Sequence, residues 1–166
     1  AVERLETYAP PWPMPKIFRM TSGGKLIAGI FEGETINTPS MLCVEDYLVA
    51  LKWAKSIGGL KALRARADAN AAVLDGWISA SPFATNLAKA HETKSNTSVC
   101  FSLAGDEAVP KKMAKLLEAE GVAFDIGGYR DAPPGLRVWC GATVETSDVQ
   151  ALLPWLDWAY ATVKQG

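Results

Sequence analysis

Apolar positions recur along the chain with two different periods, which separate the predicted helices from the predicted strands. In residues 39–57 the polar side chains share one side of a helical projection, and apolar side chains cover most of the rest. Gly58 and Gly59 end this helix, and a second amphipathic helix follows over residues 60–81. The wide apolar face predicts that the first helix is largely buried.

Apolar residues that alternate with polar ones, or form short β-branched runs, predict strands in both halves of the chain. Two short strands, residues 17–20 and 26–31, flank the turn signal "SGG". In the second half the segments "TSVCFSL", "VAFDIGG" and "LRVWCGA" are predicted strands, and "EAVPKKMAKLLEAEG" and "SDVQALLPWLDWAYATVK" are predicted helices. This β-α-β-β-α order predicts an α/β protein whose small α+β domain has an open sheet covered by helices on one face. The segment "SPFATNLAKAHETKSN" is expected to be a loop.

The composition is typical of a soluble globular protein and argues against several classes of partner. The chain has 166 residues, 49% of them apolar, and a formal net charge of -1. It has neither a basic stripe for nucleic acid nor an apolar run of about 18–20 residues for a membrane. Cys43, Cys100 and Cys140 lie far apart in apolar runs and are interpreted as buried thiols, and His91 has no ligand partner nearby. We expect a cytoplasmic protein without a metal, nucleic-acid or membrane partner.

A polar segment, "GETINTPS", directly precedes the long apolar helix. It places Thr35, Asn37, Thr38 and Ser40 at a helix N-terminus, where free N–H groups and the helix dipole favour an anion. The alternative is that Thr38 simply caps the helix.

A second candidate for anion binding is the segment "GGYRDAPPGLRVWCG", which contains Arg130 and Arg137. In a strand the apolar residues on either side of Arg137 share one face, so Arg137 lies on the other face. The planar guanidinium group can bind a carboxylate or a phosphate through two N–H groups. The alternative is that both arginines are surface cations, with Arg130 paired to Asp131.

Four segments together resemble the C-terminal portion of phosphoserine aminotransferase, a pyridoxal-phosphate enzyme of fold type I (class V), and most closely its alphaproteobacterial type. They are "GETINTPSMLCVEDYL", "WAKSIGGL", "SNTSVC" and "DIGGYRDAPPGLRVWCGATVE". The resemblance covers essentially the whole chain. It implies that residues 1–56 are the end of the large cofactor-binding domain, including a dimer-interface segment, and that residues 57–166 are the small C-terminal α/β domain.

The resemblance also implies roles for four residues in a homodimer. Asn37 and Thr38 correspond to residues that bind the phosphate of pyridoxal 5'-phosphate held by the neighbouring subunit. Arg137 corresponds to the residue that binds the substrate α-carboxylate, and Arg130 to the one that meets the substrate phosphate. Tyr129 stands where many relatives have histidine, and the two arginines are one residue farther apart than in some relatives.

The activity that the resemblance implies is the transfer of an amino group from glutamate to 3-phosphohydroxypyruvate, in serine and, in some relatives, pyridoxine biosynthesis. In such enzymes the Schiff-base lysine lies on the large domain, before the region that this chain resembles. We therefore expect no catalytic residue in the chain, which alone would be inactive and bind the cofactor weakly at best. Two alternatives remain open: a stand-alone anion- or amino-acid-binding α/β module without catalysis, and another fold type I aminotransferase.

Overall fold

A computed structural model describes residues 1–8 and 10–165, and the chain divides into two compact units, residues 1–52 and 53–166. The first unit contains α1 (Val2–Thr7), the antiparallel strands β1 (Thr21–Ser22) and β2 (Lys25–Leu26), and most of α2 (Met41–Ser56). No residue of this unit within the ranges 1–8 and 10–52 is buried.

The prediction of two strands in the first unit is mostly wrong. Short 3-10 helices, Lys16–Phe18 and Ala28–Phe31, occupy most of the predicted segments. The turn and the strand residue Leu26 are retained, because Gly23 and Gly24 both have positive φ (55° and 73°) and bring Ser22 opposite Lys25. The β1-β2 pairing is limited to two residues on each strand, and the apolar runs outside it form single 3-10 turns.

The prediction that α2 is largely buried is also wrong for this chain. None of its residues is buried, and Leu42, Tyr47 and Val49 are 73%, 65% and 63% exposed. The pattern correctly marks the helix as apolar, but none of its residues is buried among the residues that the structure describes. Contiguous exposed apolar surface of this kind is characteristic of a contact with another protein surface.

The second unit has its own core, built on one face of a three-stranded antiparallel sheet in the order β3-β4-β5. Its elements are α3 (Gly59–Ala80), β3 (Ala84–Asn86), the 3-10 turn His91–Thr93, β4 (Ser98–Leu103), α4 (Val109–Ala119), β5 (Gly135–Trp139) and α5 (Thr146–Gln165). The three helices pack with the buried sheet face, and the largest fully buried side chains include Leu74, Phe101, Met113, Leu117, Leu136 and Leu156. The predicted α/β class, with helices on one face of a small sheet, is therefore confirmed.

One predicted strand of this sheet is replaced by another. The segment "VAFDIGG" forms only an isolated bridge between Gly127 and Leu136, because Asp125 adopts a left-handed conformation (φ 54°) that breaks an extended run. The third strand is β3, inside the segment expected to be a loop. With three residues it is too short to show a period of two. Within the described ranges, no helix is both long and apolar enough to cross a membrane.

A single buried amide joins α3 to the connection that follows β5. The Nδ2 group of Asn70 donates to the carbonyl oxygens of Val144 (2.9 Å), Cys140 (3.3 Å) and Gly141 (3.3 Å). Its Oδ1 accepts from the Thr146 hydroxyl at 2.6 Å. Asn70 is fully buried, so these bonds satisfy polar groups that water does not reach.

We expect Asn70→Ala to lower the free energy of unfolding by about 1–3 kcal/mol, because it leaves buried carbonyl groups without a donor. Urea unfolding followed by circular dichroism measures this change. Asn86→Ala is the matched control, since Asn86 makes one long bond (3.4 Å) to Asp75. Equal losses in the two variants would contradict the role given to Asn70.

Candidate functional site

The open face of the sheet carries the arginine that the sequence places there. In β5, Leu136 and Val138 are buried (1% and 4% exposed), which leaves Arg137 and Trp139 on the opposite face. The register of the antiparallel pair sets Arg137 opposite Cys100 on β4. The predicted orientation of Arg137 is therefore confirmed.

Arg137 lies at the centre of a small polar cluster, which we call the arginine cluster and which consists of Ser98, Asp125, Tyr129 and Arg137. The Nη2 group of Arg137 donates to Oδ2 of Asp125 at 2.9 Å and to its main-chain oxygen at 3.1 Å. The Nη1 group donates to the Tyr129 hydroxyl at 3.5 Å, and Cζ lies 4.5 Å from the centre of the Tyr129 ring. The Tyr129 hydroxyl is also 3.4 Å from Oγ of Ser98.

The loop before β5 is shaped so that Asp125 and Tyr129 reach Arg137. The left-handed backbone of Asp125 lets its carboxylate and its own carbonyl oxygen accept from the same nitrogen. The next residue ties the loop to the strand, since the Arg137 N–H donates to the Ile126 oxygen at 2.9 Å. The bridge between Gly127 and Leu136 continues this pairing.

The electrostatics of the arginine cluster favour a charged Arg137. The hydrogen bond to Tyr129 and the bond to the Asp125 carboxylate raise the pKa of Arg137 above its usual value. Hydrogen bonds from Ser98 and then Arg137, with the arginine's charge, lower the pKa of Tyr129 below its usual value. Among the described residues, buried Nε of Arg137 has no hydrogen-bond partner. Because Nε is buried, an anion would contact Arg137 at its terminal Nη groups, where Asp125 is bound.

Arg130 lies beside the arginine cluster rather than inside it. It lines an open cleft of about 580 Å³ together with Tyr129, Lys111 and Lys115. Two glutamates and Asp125 line the same cleft, so its three cations are matched by three carboxylates. The three ion pairs among residues 1–8 and 10–165 do not include Arg130 with Asp131, so that pairing is wrong. Arg130 is exposed, so the alternative that it is a surface cation stays open.

Asn37 and Thr38 are exposed and precede α2 by a few residues. Ser40 caps the helix: its carbonyl oxygen accepts from Val44 N–H at 3.1 Å and its hydroxyl from Cys43 N–H at 3.5 Å. The alternative that Thr38 caps the helix is therefore wrong. The side chains of Asn37 and Thr38 are not part of the cap.

The cysteines differ from one another more than the sequence suggests. Cys140 is buried, and burial raises the pKa of its thiol to about 11, so it stays protonated at neutral pH. Cys100 is partly buried. Cys43 is exposed because it lies on uncovered α2, which corrects the prediction that all three thiols are buried. In the part of the chain that the structure describes, no three potential metal ligands lie together.

Sequence reasoning missed two members of the arginine cluster, Asp125 and Ser98, and noted Tyr129 only as a departure from relatives. The contact with Asp125 depends on one left-handed residue, and the contact with Ser98 on the strand register. Neither has a clear signal in a single sequence. The segment "GGYR" was the one available hint, because it holds an aromatic residue next to Arg130.

Two curated relatives match 99% of this chain over 164 residues, and both are phosphoserine aminotransferases: 55% identical in Methanosarcina mazei and 56% in Methanosarcina barkeri. The chain spans 44% of the length of each. No family model matches the chain. The resemblance read from the sequence is thus confirmed. The alphaproteobacterial type stays a prediction.

Solved structures give the same result for the fold. Phosphoserine aminotransferase from Bacillus circulans subsp. alkalophilus superimposes with a TM-score of 0.68 and 25% identity, covering 76% of this chain and 34% of that one. A second phosphoserine aminotransferase, studied for radiation damage of its Schiff base, has a TM-score of 0.71 and 21% identity. It covers 82% of this chain and 38% of that one.

Proposed function

This chain is homologous to phosphoserine aminotransferases over 99% of its length, and from this we propose that the complete protein is a phosphoserine transaminase. It transfers the amino group of glutamate to 3-phosphohydroxypyruvate and produces phosphoserine and 2-oxoglutarate, in serine biosynthesis in the cytoplasm. The observation that carries the proposal is 55% identity over 164 residues. Identity of this extent to transaminases favours a transaminase over a stand-alone binding module.

The proposed domain boundary lies close to the boundary between the two compact units. Residues 1–56 contribute the end of the large domain, and residues 57–166 form the small domain. The division into compact units at residues 52 and 53 supports a boundary close to this one. The separate core of the second unit also supports it.

The proposed cofactor is pyridoxal 5'-phosphate, whose chemistry when bound is to withdraw electrons from the substrate carbon that carries the amino group. Asn37 and Thr38 fit the phosphate of this cofactor, because an amide and a hydroxyl group are exposed just before a helix N-terminus whose cap is made by Ser40. In the proposed homodimer they bind the phosphate held by the partner subunit.

The arginine cluster is the proposed carboxylate site, in which Arg137 binds the α-carboxylate of the substrate. The Asp125 side chain is 91% exposed, so its ion pair with Arg137 is screened by water and readily exchanged for another carboxylate. Arg130 is proposed to meet the substrate phosphate. Lys111 and Lys115 line the same cleft, but three carboxylates there balance the three cations, so the proposal rests on Arg130 itself and not on a net positive potential.

A homodimer is proposed because the first unit exposes apolar surface along α2. Met41, Leu42 and Tyr47 on α2 are each more than 60% exposed. A second copy that packs on this surface removes it from water, which is the main favourable term in most protein association.

We expect Arg137→Gln in the complete protein to lower kcat/KM for phosphoserine by roughly two orders of magnitude, since loss of a hydrogen-bonded charge pair costs about 2–5 kcal/mol. Arg130→Gln should lower kcat/KM for the phosphorylated substrate more than for its unphosphorylated analogue. Steady-state kinetics measure both. Lys112→Gln, which removes an exposed lysine outside the cleft, is the control. Unchanged activity of Arg130→Gln on phosphohydroxypyruvate would favour another fold type I aminotransferase.

We expect Tyr47→Asp to weaken the proposed dimer, because it places a charge on the exposed apolar surface of α2. Lys52→Asp, on the same helix, introduces the same residue at a position that is already polar and should leave the dimer intact. Light scattering coupled to size exclusion gives the mass of each variant. A monomeric wild type, or equal effects of both substitutions, would argue against α2 as the interface.

A further inference from the structure

Tyr129 contacts the guanidinium group of Arg137 in two ways at once. Its ring lies under Cζ at 4.5 Å, and its hydroxyl group is 3.5 Å from Nη1. The hydroxyl group is held in turn by Ser98 on β4, at 3.4 Å. The aromatic side chain thus connects the loop, the strand β4 and the arginine on β5.

These contacts restrict a side chain that is otherwise free to move. Arginine has several rotatable bonds, and ordering such a side chain when a ligand binds reduces affinity. A ring against one face of the guanidinium group excludes rotamers that would occupy that space. The loop that carries the ring is tied to β5, since the Ile126 carbonyl oxygen accepts a hydrogen bond from Arg137 N–H and Gly127 forms a β-bridge with Leu136.

The Tyr129 contacts also differ in kind from those of Asp125. Asp125 offers a carboxylate to Nη2, so a substrate carboxylate competes with it directly. The ring of Tyr129 occupies the face of the guanidinium group, and Nε is left without a partner among the described residues. A carboxylate can therefore replace Asp125 while the ring stays in place.

We propose that Tyr129 is a positioning residue that holds the guanidinium group of Arg137 ready for the substrate α-carboxylate. The inference rests on the proposed function, in which Arg137 is the carboxylate ligand. It assigns a role to the residue that stands where many relatives have histidine. The ring supplies most of the effect, and the hydroxyl group anchors the ring through Ser98.

The test compares Tyr129→Phe, which keeps the ring, with Tyr129→Leu, which removes it. Phe124→Leu is the matched control, because Phe124 is an exposed aromatic residue (66%) of the same loop and lies outside the arginine cluster. The first readout is the Nε–H signal of Arg137 in NMR spectra of the 166-residue chain. We expect slow exchange with water in the wild type, Tyr129→Phe and Phe124→Leu, and several-fold faster exchange in Tyr129→Leu.

The second readout is the kinetics of the complete protein with phosphoserine. Tyr129→Leu should raise KM by up to roughly tenfold, the scale expected for ordering one side chain on binding, with a smaller effect on kcat. If Arg137→Gln leaves KM unchanged, the proposed function fails. If Arg137→Gln raises KM but Tyr129→Leu behaves like Phe124→Leu in either readout, only the role of Tyr129 is overturned.

Discussion

Burial of the alternate residues of β5 is the constraint on which the candidate site depends. Leu136 and Val138 fill the core, and Arg137 between them must therefore lie on the open face of the sheet. A slip of one residue in register would move the guanidinium group into an apolar core and the two apolar side chains into water. The hydrophobic core thus fixes the position of the charged group.

The two units differ in how they meet the requirement to remove apolar surface from water. The second unit buries its apolar side chains between three helices and one face of its sheet. Asn70 donates hydrogen bonds to carbonyl groups in the connection that follows β5. The first unit buries no residue in the ranges 1–8 and 10–52, although α2 is strongly apolar. In the proposed dimer, a second copy would cover this apolar helix.

The sequence predicted the elements whose pattern is local and long enough to read. The helices α3, α4 and α5 and the strands β4 and β5 are where periodicity places them, and so is Arg137. The three-residue strand β3 and the left-handed Asp125 could not be read, because one depends on a partner strand and the other on a single backbone angle. The exposure of α2 was missed because an apolar pattern does not say which surface covers it. For Asn37 and Thr38 the pattern indicated only an anion at a helix N-terminus, and the role at a cofactor phosphate came from the resemblance.

A crystal structure of the complete protein with bound phosphoserine tests most directly whether Arg137 is the carboxylate ligand. We expect an α-carboxylate oxygen about 3 Å from an N–H group of Arg137. The Tyr129 ring should remain against the guanidinium group, and Asp125 should be displaced. A phosphoserine carboxylate bound by other residues, with Arg137 still paired to Asp125, would contradict the proposed site.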